Sequence, residues 1–567
     1  MGKIPCEGVI FMTRIKGISI FFLAIFLALT LRLAYIQLVG HEELSAATRA
    51  QSLIALEGSN TRGIIYDRNG EALVADEKQY IYIIKDSDFT EEAEELLQQV
   101  GAAIVSDENS GYRVYSSKKY EKATGKKLIK NNNAYILQAS ARYGEDQMAA
   151  HYIGYVNKGD LSGASGLELM YDEQLSGLNR RVYAAADVKG NILTGRGLII
   201  ASEAGKDSYV AEGIRTTIDK DLQKAVEDII GEMGNDCAVV VLESKTGGVA
   251  AMACTPGFDP DNVDELINNE TVSADDMNDE GHEDALINKV TQGEYPPGSV
   301  FKIVTAAAAL EDGVDLDKTY YCSGHAVLDG LTIKCDTGGY AGHGNIGFED
   351  ALAKSCNSYF IQLGRDIGAD KIIAMAEKMG MGQEVLDGYP HEATGHLMTE
   401  EERAGNAIGN LSIGQGEILV TPIQIAAMTN ILANDGVDIG THILMGEKQE
   451  QEQVISADTA DSIRRMMESA SVYGTGAALG LVEGGSTSEH GSKAIAALKT
   501  GTAEYAATDG MRSHGWITAI TPCDEPEYTI TVFVEDGGSG SLSAGSVLKK
   551  IIEYLQDSGS YSMPTFA

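Results

Sequence analysis

Cysteine is scarce in this chain of 567 residues, and no two cysteines are spaced as Cys-x-x-Cys. Seven cysteines over this length exclude a fold held together mainly by disulfides, and the missing pair argues against a zinc ribbon. Cys322 and Cys335 flank a short loop-like stretch. They either form a bridge outside the cytoplasm or stay free buried thiols, and the sequence leaves both possibilities open.

Positive charge is also in short supply. The chain has 44 Lys and Arg against 83 Asp and Glu, which gives a net charge of −39. This sign argues against nucleic acid as a partner, because phosphate groups require a basic surface. The acidic run at 259–284 contains no Lys or Arg and lacks the ligand spacing of a calcium loop. We interpret it as a solvated loop.

Motifs of several other enzyme classes are missing as well. The chain has no Gly-x-Ser-x-Gly sequence, and His391 and His396 are one residue too far apart for a two-histidine zinc helix. No cofactor and no metal are therefore expected. His343 and His514 are interpreted as surface or structural residues.

An apolar segment near the N-terminus is the first positive feature. Residues 17–31 are uncharged and mostly apolar, residues 33–39 continue the pattern, and Lys3, Arg14 and Lys16 precede it. A membrane span needs about 20 residues, and basic residues mark the cytoplasmic side. We expect a cytoplasmic segment at 1–16, a single transmembrane helix at 17–39 and an extracytoplasmic remainder. A cleaved signal peptide is the alternative, although no clean Ala-x-Ala site follows.

The exported part divides near residue 212. Apolar residues make up 44% of the chain, enough for several packed cores. Helical spacing predicts a helix at 41–57, and the sequence at 62–70 predicts a strand closed by an Asn-Gly turn. We expect an α+β domain at 40–212, a second domain at 213–556 that includes a hairpin at 237–253, and a tail at 557–567.

Three short strings in the second domain carry the chemistry. Ser299 and Lys302 form a Ser-x-x-Lys pair where two prolines and a glycine lead into a long apolar helical run. Three residues apart on a helix, the lysine lies one turn above the serine and can take its proton when its amine is neutral. Burial and a second cation both lower a lysine pKa. Ser-x-x-Lys also begins at Ser116 and Ser546, so the pair alone is weak evidence.

The other two strings follow in the order that a joint site requires. Ser355 and Asn357 form the only Ser-x-Asn in the chain, and they supply a proton-relaying hydroxyl and an amide that can hold a peptide. The string at 499–502 follows an apolar strand entry, and its members are Lys499, Thr500, Gly501 and Thr502. Its lysine and hydroxyls suit a substrate carboxylate. A second Lys-Thr-Gly at 245–247 is interpreted as a hairpin turn.

With these strings in place, the chain resembles the class B penicillin-binding proteins. The set Ser-x-x-Lys, Ser-x-Asn and Lys-Thr-Gly is typical of penicillin-recognising serine acyltransferases. Further segments that look like this family occur at 62–70, 151–156, 165–177, 295–302, 342–344, 412–416 and 499–504. The resemblance runs from the anchor to about residue 555.

The resemblance implies peptidoglycan D,D-transpeptidation. Ser299 would attack the D-Ala–D-Ala carbonyl, Lys302 would act as base and Ser355 would pass the proton to the leaving D-Ala. Asn357 would hold the substrate amide. The terminal carboxylate would be bound by the string at 499–502, with the backbone N–H groups of Ser299 and Thr502 as the oxyanion hole.

The family also implies a fold and a set of partners. The expected fold is a mainly antiparallel sheet flanked by helices, standing on an elongated α+β pedestal. Stem peptides of peptidoglycan are the expected substrates, β-lactams the expected inhibitors, and a membrane-embedded glycan polymerase with its wall-synthesis complex the expected partner.

Three alternatives share the strings. A β-lactamase-like hydrolase or a D,D-carboxypeptidase would pass the acyl group to water. A non-catalytic β-lactam sensor or wall-synthesis scaffold would keep the fold without needing all three strings. The sequence does not distinguish roles in elongation, division and sporulation.

Overall fold

The computed structural model describes most of the chain from residue 62 onward and short pieces before it. The described residues are 22–27, 29–30, 53–55, 62–74, 78–106, 111–144, 147–157, 162–176, 180–185, 198–202, 213–263, 266–267, 283–328, 331–337, 341–403, 405, 407–485, 492–507 and 510–559. Most of the predicted anchor at 17–39 and most of the acidic run at 259–284 lie outside them.

Residues 22–27 and 29–30 are helical. Within the described residues, no helix has both the length and the apolar character needed to cross a bilayer.

Two compact units make up the chain, and each draws on separate stretches of sequence. The first unit contains residues 1–61, 79–138 and 180–206. The second contains residues 62–78, 139–179 and 207–567.

The first unit contains a four-stranded sheet and two amphipathic helices. In sheet order the strands are Ala103–Ser106, Tyr112–Ser117, Lys78–Lys85 and Tyr135–Ser140, and the helices are Glu91–Gln99 and Lys122–Asn132. The first helix begins where the Thr90 side chain accepts a hydrogen bond from Ala93 N at 3.2 Å. The core is formed by apolar side chains of both helices and the central strands, including Leu97, Leu128 and Tyr82.

A three-stranded antiparallel sheet in the same unit corrects one prediction. Leu53–Ala55 pairs with Arg180–Ala185, which pairs in turn with Leu198–Ser202. The helix expected at 41–57 is therefore wrong at residues 53–55, and the rest of that prediction lies outside the described residues. A short apolar run is helix or strand depending on its partner, and here the partner is more than 120 residues away.

A five-stranded antiparallel sheet forms the centre of the second unit. Its order is Val249–Cys254, Cys237–Glu243, Tyr528–Val534, Gly510–Thr521 and Ala497–Ala507. The hairpin predicted at 237–253 is confirmed, with Lys245 and Thr246 in its turn. Among the strands that the structure describes, Ala497–Ala507 has a neighbour on one side only, and we call it the edge strand.

Helices cover both faces of this sheet because its strands are apolar on both sides. Ala238, Val240 and Leu242 join one core, which includes the helix Pro422–Ala433. The alternate residues Val239 and Val241 join another core together with the helices Lys220–Gly231 and Ser543–Asp557. The helix side chains in this core include Leu222, Val226, Val547 and Ile551. The expected antiparallel sheet flanked by helices is confirmed.

The remaining elements of the second unit are short. The strand pairs are Thr319–Cys322 with Gly344–Gly347, His325–Leu328 with Leu331–Lys334, Ile65–Tyr66 with Ile214–Arg215, and Val437–Asp438 with Glu452–Gln453. The helices are Ala150–Ile153, Gly166–Met170, Asp172–Ser176, Lys302–Glu311, Phe348–Ala353, Asn357–Ile367, Ala369–Lys378, Ala407–Leu411 and Ala457–Val472. Single 3₁₀ turns are Asp86–Asp88 in the first unit and Glu283–Leu286, Gly298–Phe301, Ala477–Leu479 and Glu483–Gly485 in the second.

Candidate active site

Ser299 lies in the 3₁₀ turn Gly298–Phe301, which leads directly into the buried helix Lys302–Glu311. The turn is wedged between two backbones. A Cβ on Gly298 would lie 2.7 Å from Thr502 O, and one on Gly414 would lie 2.2 Å from Gly298 O. Both glycines have positive φ. The sequence therefore needs glycine at these two positions to bring Ser299 against the edge strand.

Lys302 is completely buried, and its amine is fully engaged. Nζ donates to Asn357 Oδ1 at 2.6 Å, to Ser355 O at 2.8 Å and to Ser355 Oγ at 3.1 Å. Between Lys302 Nζ and Ser299 Oγ, both in the described part of the chain, the structure has no hydrogen bond. Ser299 and Lys302 lie one turn apart along the chain, as their spacing requires. The Lys302 amine, however, donates to the Ser-x-Asn string and not to Ser299.

Ser355 links two helices in a strained conformation. It follows the helix Phe348–Ala353 and precedes Asn357–Ile367, and its φ of 54° is left-handed. Such a conformation costs a non-glycine residue roughly 1–2 kcal/mol, so the surrounding bonds must hold it in place. Ser355 N donates to Leu352 O at 3.2 Å, and Cys356 N donates to Ala351 O at 2.8 Å. Together these contacts aim the Ser355 hydroxyl at the two lysines.

The second lysine of the site, Lys499, lies on the edge strand. Lys499 is completely buried, and its Nζ donates to Ser355 Oγ at 3.0 Å and to Thr500 O at 2.7 Å. The Ser355 hydroxyl therefore lies between two amines. In the described part of the chain, neither lysine forms an ion pair with a carboxylate.

Burial without a counter-charge changes the acidity of both amines. Desolvation lowers the pKa of Lys302 to about 8. Desolvation, and then the positive charge of Lys302, hold the pKa of Lys499 well below its usual value. Both amines therefore lose a proton more readily than an exposed lysine does, and the Ser355 hydroxyl contacts both of them.

The other predicted binding residues lie on the same elements. Asn357 begins its helix, and its Nδ2 donates to Lys334 O at 2.8 Å. Along the edge strand side chains alternate, so Thr500 and Thr502 share one face. The Thr500 hydroxyl shares a hydrogen bond of 2.6 Å with that of Thr475, and Thr502 is exposed. Gly501 passes close to Val300, because a Cβ there would lie 3.2 Å from Val300 Cγ1.

Sequence reasoning missed two side chains at this site. Thr475, which lies between two glycines in the sequence, contacts Thr500. Gln415, inside the family-like segment 412–416, lies along the edge strand. With its amide oriented so that both atoms are satisfied, it donates to Glu504 O at 3.1 Å and accepts from Glu504 N at 3.2 Å. Its place between two glycines was the available signal.

Two family models match the chain. The penicillin-binding protein transpeptidase domain matches residues 237–553, and the penicillin-binding protein dimerisation domain matches residues 58–209. The first match alone spans more than half of the chain and contains every predicted site residue.

Relatives and solved structures agree with these matches. The chain is 31% identical to peptidoglycan D,D-transpeptidase PbpA of Mycolicibacterium smegmatis, over 72% of this chain and 81% of that protein. It is 27% identical to stage V sporulation protein D of Bacillus subtilis, over 94% and 83% of the two chains. It shares its fold with the penicillin-binding protein PBP2 in a complex with MreC from Helicobacter pylori (TM-score 0.66, 23% identity, 90% and 98% coverage). The chain therefore belongs to the class B penicillin-binding proteins.

Proposed function

We propose that this protein is a peptidoglycan D,D-transpeptidase that cross-links stem peptides through an acyl-enzyme on Ser299. The observation that carries the proposal is the Ser355 hydroxyl between two buried amines, at 3.1 Å from Lys302 Nζ and 3.0 Å from Lys499 Nζ, beside the Ser299 turn. A serine becomes a nucleophile when a nearby base takes its proton. The two amines supply that base.

Lys302 is the base in this proposal. As an ammonium it directs all three N–H groups at Ser355 and Asn357. The neutral amine has only two N–H groups and gains a lone pair. That lone pair accepts the Ser299 proton as Oγ bonds to the substrate carbonyl carbon. The lowered pKa makes the neutral form accessible near neutral pH.

Ser355 then carries the proton onward. The Lys302 ammonium donates to Ser355 Oγ, and the Ser355 hydroxyl donates its own proton to the amine of the leaving D-Ala. The C–N bond breaks as the tetrahedral intermediate collapses. The ester on Ser299 and a free D-alanine result, with Lys302 neutral again.

In this proposal the edge strand binds the negatively charged carboxylate of the substrate. Lys499 offers its amine, and Thr500 and Thr502 offer their hydroxyls, to the terminal carboxylate. The backbone N–H and C=O of Glu504 point away from the sheet and bond to the Gln415 side chain. Backbone groups two residues apart on a strand point the same way, so the N–H of Thr502 also points away from the sheet. That N–H and the N–H of Ser299 would form the oxyanion hole, in which one donor is worth about 3 kcal/mol of barrier.

The second half reverses the first. An amine of a neighbouring stem peptide attacks the ester carbon, gives its proton through Ser355 to Lys302, and the Ser299 oxygen leaves and regains a proton. The open side of the edge strand suits such peptides, because an extended chain can form backbone hydrogen bonds with it.

Anchoring, domain limits and partners extend the proposal. A transmembrane segment at 17–39 would place the catalytic residues outside the membrane, with a pedestal at 40–212 and the transpeptidase domain at 213–556. The solved complex of PBP2 with MreC involves the Helicobacter pylori protein, and it supports a comparable wall-synthesis partner here.

Labelling with a fluorescent penicillin tests the catalytic core. We expect a stable adduct on the tryptic peptide that contains Ser299, found by mass spectrometry, and no adduct in Ser299→Ala. The matched control is Ser546→Ala, which alters another Ser-x-x-Lys and should label normally. Label on any other serine contradicts the proposal.

The fate of the acyl group separates the alternatives. With stem pentapeptide and an added amine acceptor, a transpeptidase forms a cross-linked amide, a carboxypeptidase releases tetrapeptide alone, and a β-lactamase turns over the penicillin rapidly. An inert sensor or scaffold releases no D-alanine, and any of these last three results overturns the proposal.

A further inference from the structure

The indole of Trp516, the one tryptophan in the chain, is bonded to the backbone that leads into the Ser299 turn. Trp516 is fully buried, and its Nε1 donates to Pro296 O at 3.0 Å, three residues before Ser299. Proline has no N–H, so the backbone of residues 296–297 offers hydrogen-bond partners only its carbonyl groups. The indole N–H uses one of these two carbonyls to hold the start of the turn.

Trp516 is a fixed point because its strand, Gly510–Thr521, is paired on both sides. It lies opposite Gly501 of the edge strand on one side and opposite Phe533 on the other. The Trp516 and Phe533 rings are also in contact, with their centroids 4.6 Å apart. A side chain packed in the middle of a sheet has little freedom to move, so it holds its hydrogen-bond partner precisely.

Gly501 leaves the space in which the indole meets the turn. Residues opposite each other in an antiparallel pair project to the same face of the sheet, so a side chain at Gly501 would compete with Trp516. A Cβ on Gly501 would lie 3.0 Å from Trp516 Cβ and 3.3 Å from Pro297 O. The edge strand, the indole and the turn therefore lie directly against one another.

The residue before the two prolines packs on the same rings. The Tyr295 ring stacks on Phe533 with centroids 3.9 Å apart, and it lies edge-on to Trp516 at 6.4 Å. Ring packing tolerates small rotations, whereas a hydrogen bond weakens steeply as its angle departs from linear. The Trp516 N–H therefore sets the orientation of the Pro296 peptide group, which Tyr295 alone does not.

We propose that Trp516 is a positioning residue that sets the distance between the two oxyanion-hole donors, the N–H groups of Ser299 and Thr502. Its backbone holds the edge strand beside Thr502, and its side chain holds the turn that carries Ser299. This role rests on the proposed function. Oxyanion-hole donors act on charge that develops in the transition state, so their misplacement slows acylation without weakening the initial binding of a β-lactam.

Replacing the indole N–H alone tests the proposal in the full-length protein. Trp516→benzothienylalanine puts sulfur in place of the N–H in a ring of nearly the same shape, and a ring-fluorinated tryptophan at position 516 keeps the N–H as the matched control. With a chromogenic β-lactam, the sulfur analogue should lower the acylation rate constant about tenfold or more, since a misplacement on the order of 1 Å costs about a hundredfold. The dissociation constant of the initial complex should stay within about twofold.

The pH midpoint of acylation separates positioning from a general structural defect. The Lys302 amine sets this midpoint, so it should be the same in the sulfur analogue and the wild type while the plateau falls. An unchanged acylation rate constant in the sulfur analogue, an equal loss in the fluorinated control, or a loss confined to initial binding overturns the proposal.

A measurement on the wild type covers the case in which the sulfur analogue does not fold. With isotope-labelled tryptophan the chain gives one indole N–H signal in an NMR spectrum, because it has one tryptophan. Penicillin should shift this signal in the wild type and leave it unmoved in Ser299→Ala, and an unmoved signal in fully acylated wild type overturns the proposal. A wild type that is not acylated at all contradicts the proposed function, and this inference with it. Normal acylation in both analogue proteins removes this inference alone.

Discussion

The Ser355 hydroxyl lies at the centre of the site, because both buried lysines donate a hydrogen bond to it. The sequence predicted its role as a relay, and it predicted that burial and a second cation would lower the pKa of Lys302. In the structure, desolvation lowers the pKa of Lys302, and desolvation together with the charge of Lys302 lowers the pKa of Lys499. A pattern of residue types names the members of such a pair, but only the fold shows that both amines are buried close enough to share the Ser355 hydroxyl.

A pH profile follows from the Lys302 amine. Its pKa is lowered to about 8, and only the neutral form accepts the Ser299 proton. The acylation rate should therefore rise roughly tenfold per pH unit below about pH 8 and level off above it. Stopped-flow acylation by a chromogenic β-lactam between pH 6 and 9 measures this, since the β-lactam carboxylate stays ionised throughout. A flat profile would remove Lys302 as the base, and Lys302→Met should be inactive at every pH.

At the scale of elements, the site depends on close backbone approach. The Ser299 turn fits between the edge strand and the loop at 412–416 only because Gly298 and Gly414 lack side chains. Tyr295 and Val420 pair their backbones on the same side, with both hydrogen bonds at 2.9 Å. The sequence showed the prolines and glycines as a helix stop, but it could not show which loop they would contact.

Gly414→Ala tests this close approach. The new Cβ would lie 2.2 Å from Gly298 O, in a backbone with φ of 71°. We expect a loss of about 2–4 kcal/mol in the free energy of unfolding, because backbone must shift in addition to the strain at positive φ. Urea denaturation of the wild type and the variant gives the difference.

Gly313→Ala is the control for that experiment. Gly313 has φ of 85° but no atom within 4 Å of an added Cβ, so it reports the conformational strain alone, at roughly 1 kcal/mol. Equal losses in the two variants would show that the close approach costs nothing.

At the scale of the whole molecule, the second unit gathers residues that lie far apart in sequence. Glu168 is fully buried, and it accepts from Arg62 Nε at 2.7 Å and from Arg142 Nε at 2.6 Å. Arg62 also pairs with Asp172 at 2.6 Å. These contacts tie the segments 62–78 and 139–179 together inside the second unit.

Glu168→Gln should be one of the most damaging substitutions away from the catalytic residues. It leaves two largely buried guanidinium groups without their shared counter-charge, and breaking a buried pair in this way costs about 3–5 kcal/mol. Glu173→Gln, an exposed neighbour on the next helix, should change stability by less than about 0.5 kcal/mol. Chemical denaturation compares them, and similar midpoints for the two variants would contradict the prediction.

Short-range pattern predicted the hairpin at 237–253, and the family resemblance carried by the three strings implied the antiparallel sheet. Sequence pattern failed where a partner distant in sequence decides the outcome. Leu53–Ala55 became a strand through pairing with Arg180–Ala185, and Cys322 met Cys356 through two hairpins and a helix start. Glycine spacing near Gln415 was visible, but its contact with Glu504 required the fold.

That glutamine also bears on how the protein resists aggregation. An unpaired strand at the border of a sheet invites another molecule to add a strand, which is a common route to aggregation. By occupying the backbone groups of Glu504, the Gln415 amide closes the run of free peptide groups just past Thr502. A short ligand finds enough open backbone beside Ser299, whereas a long strand from a second copy is stopped after a few residues.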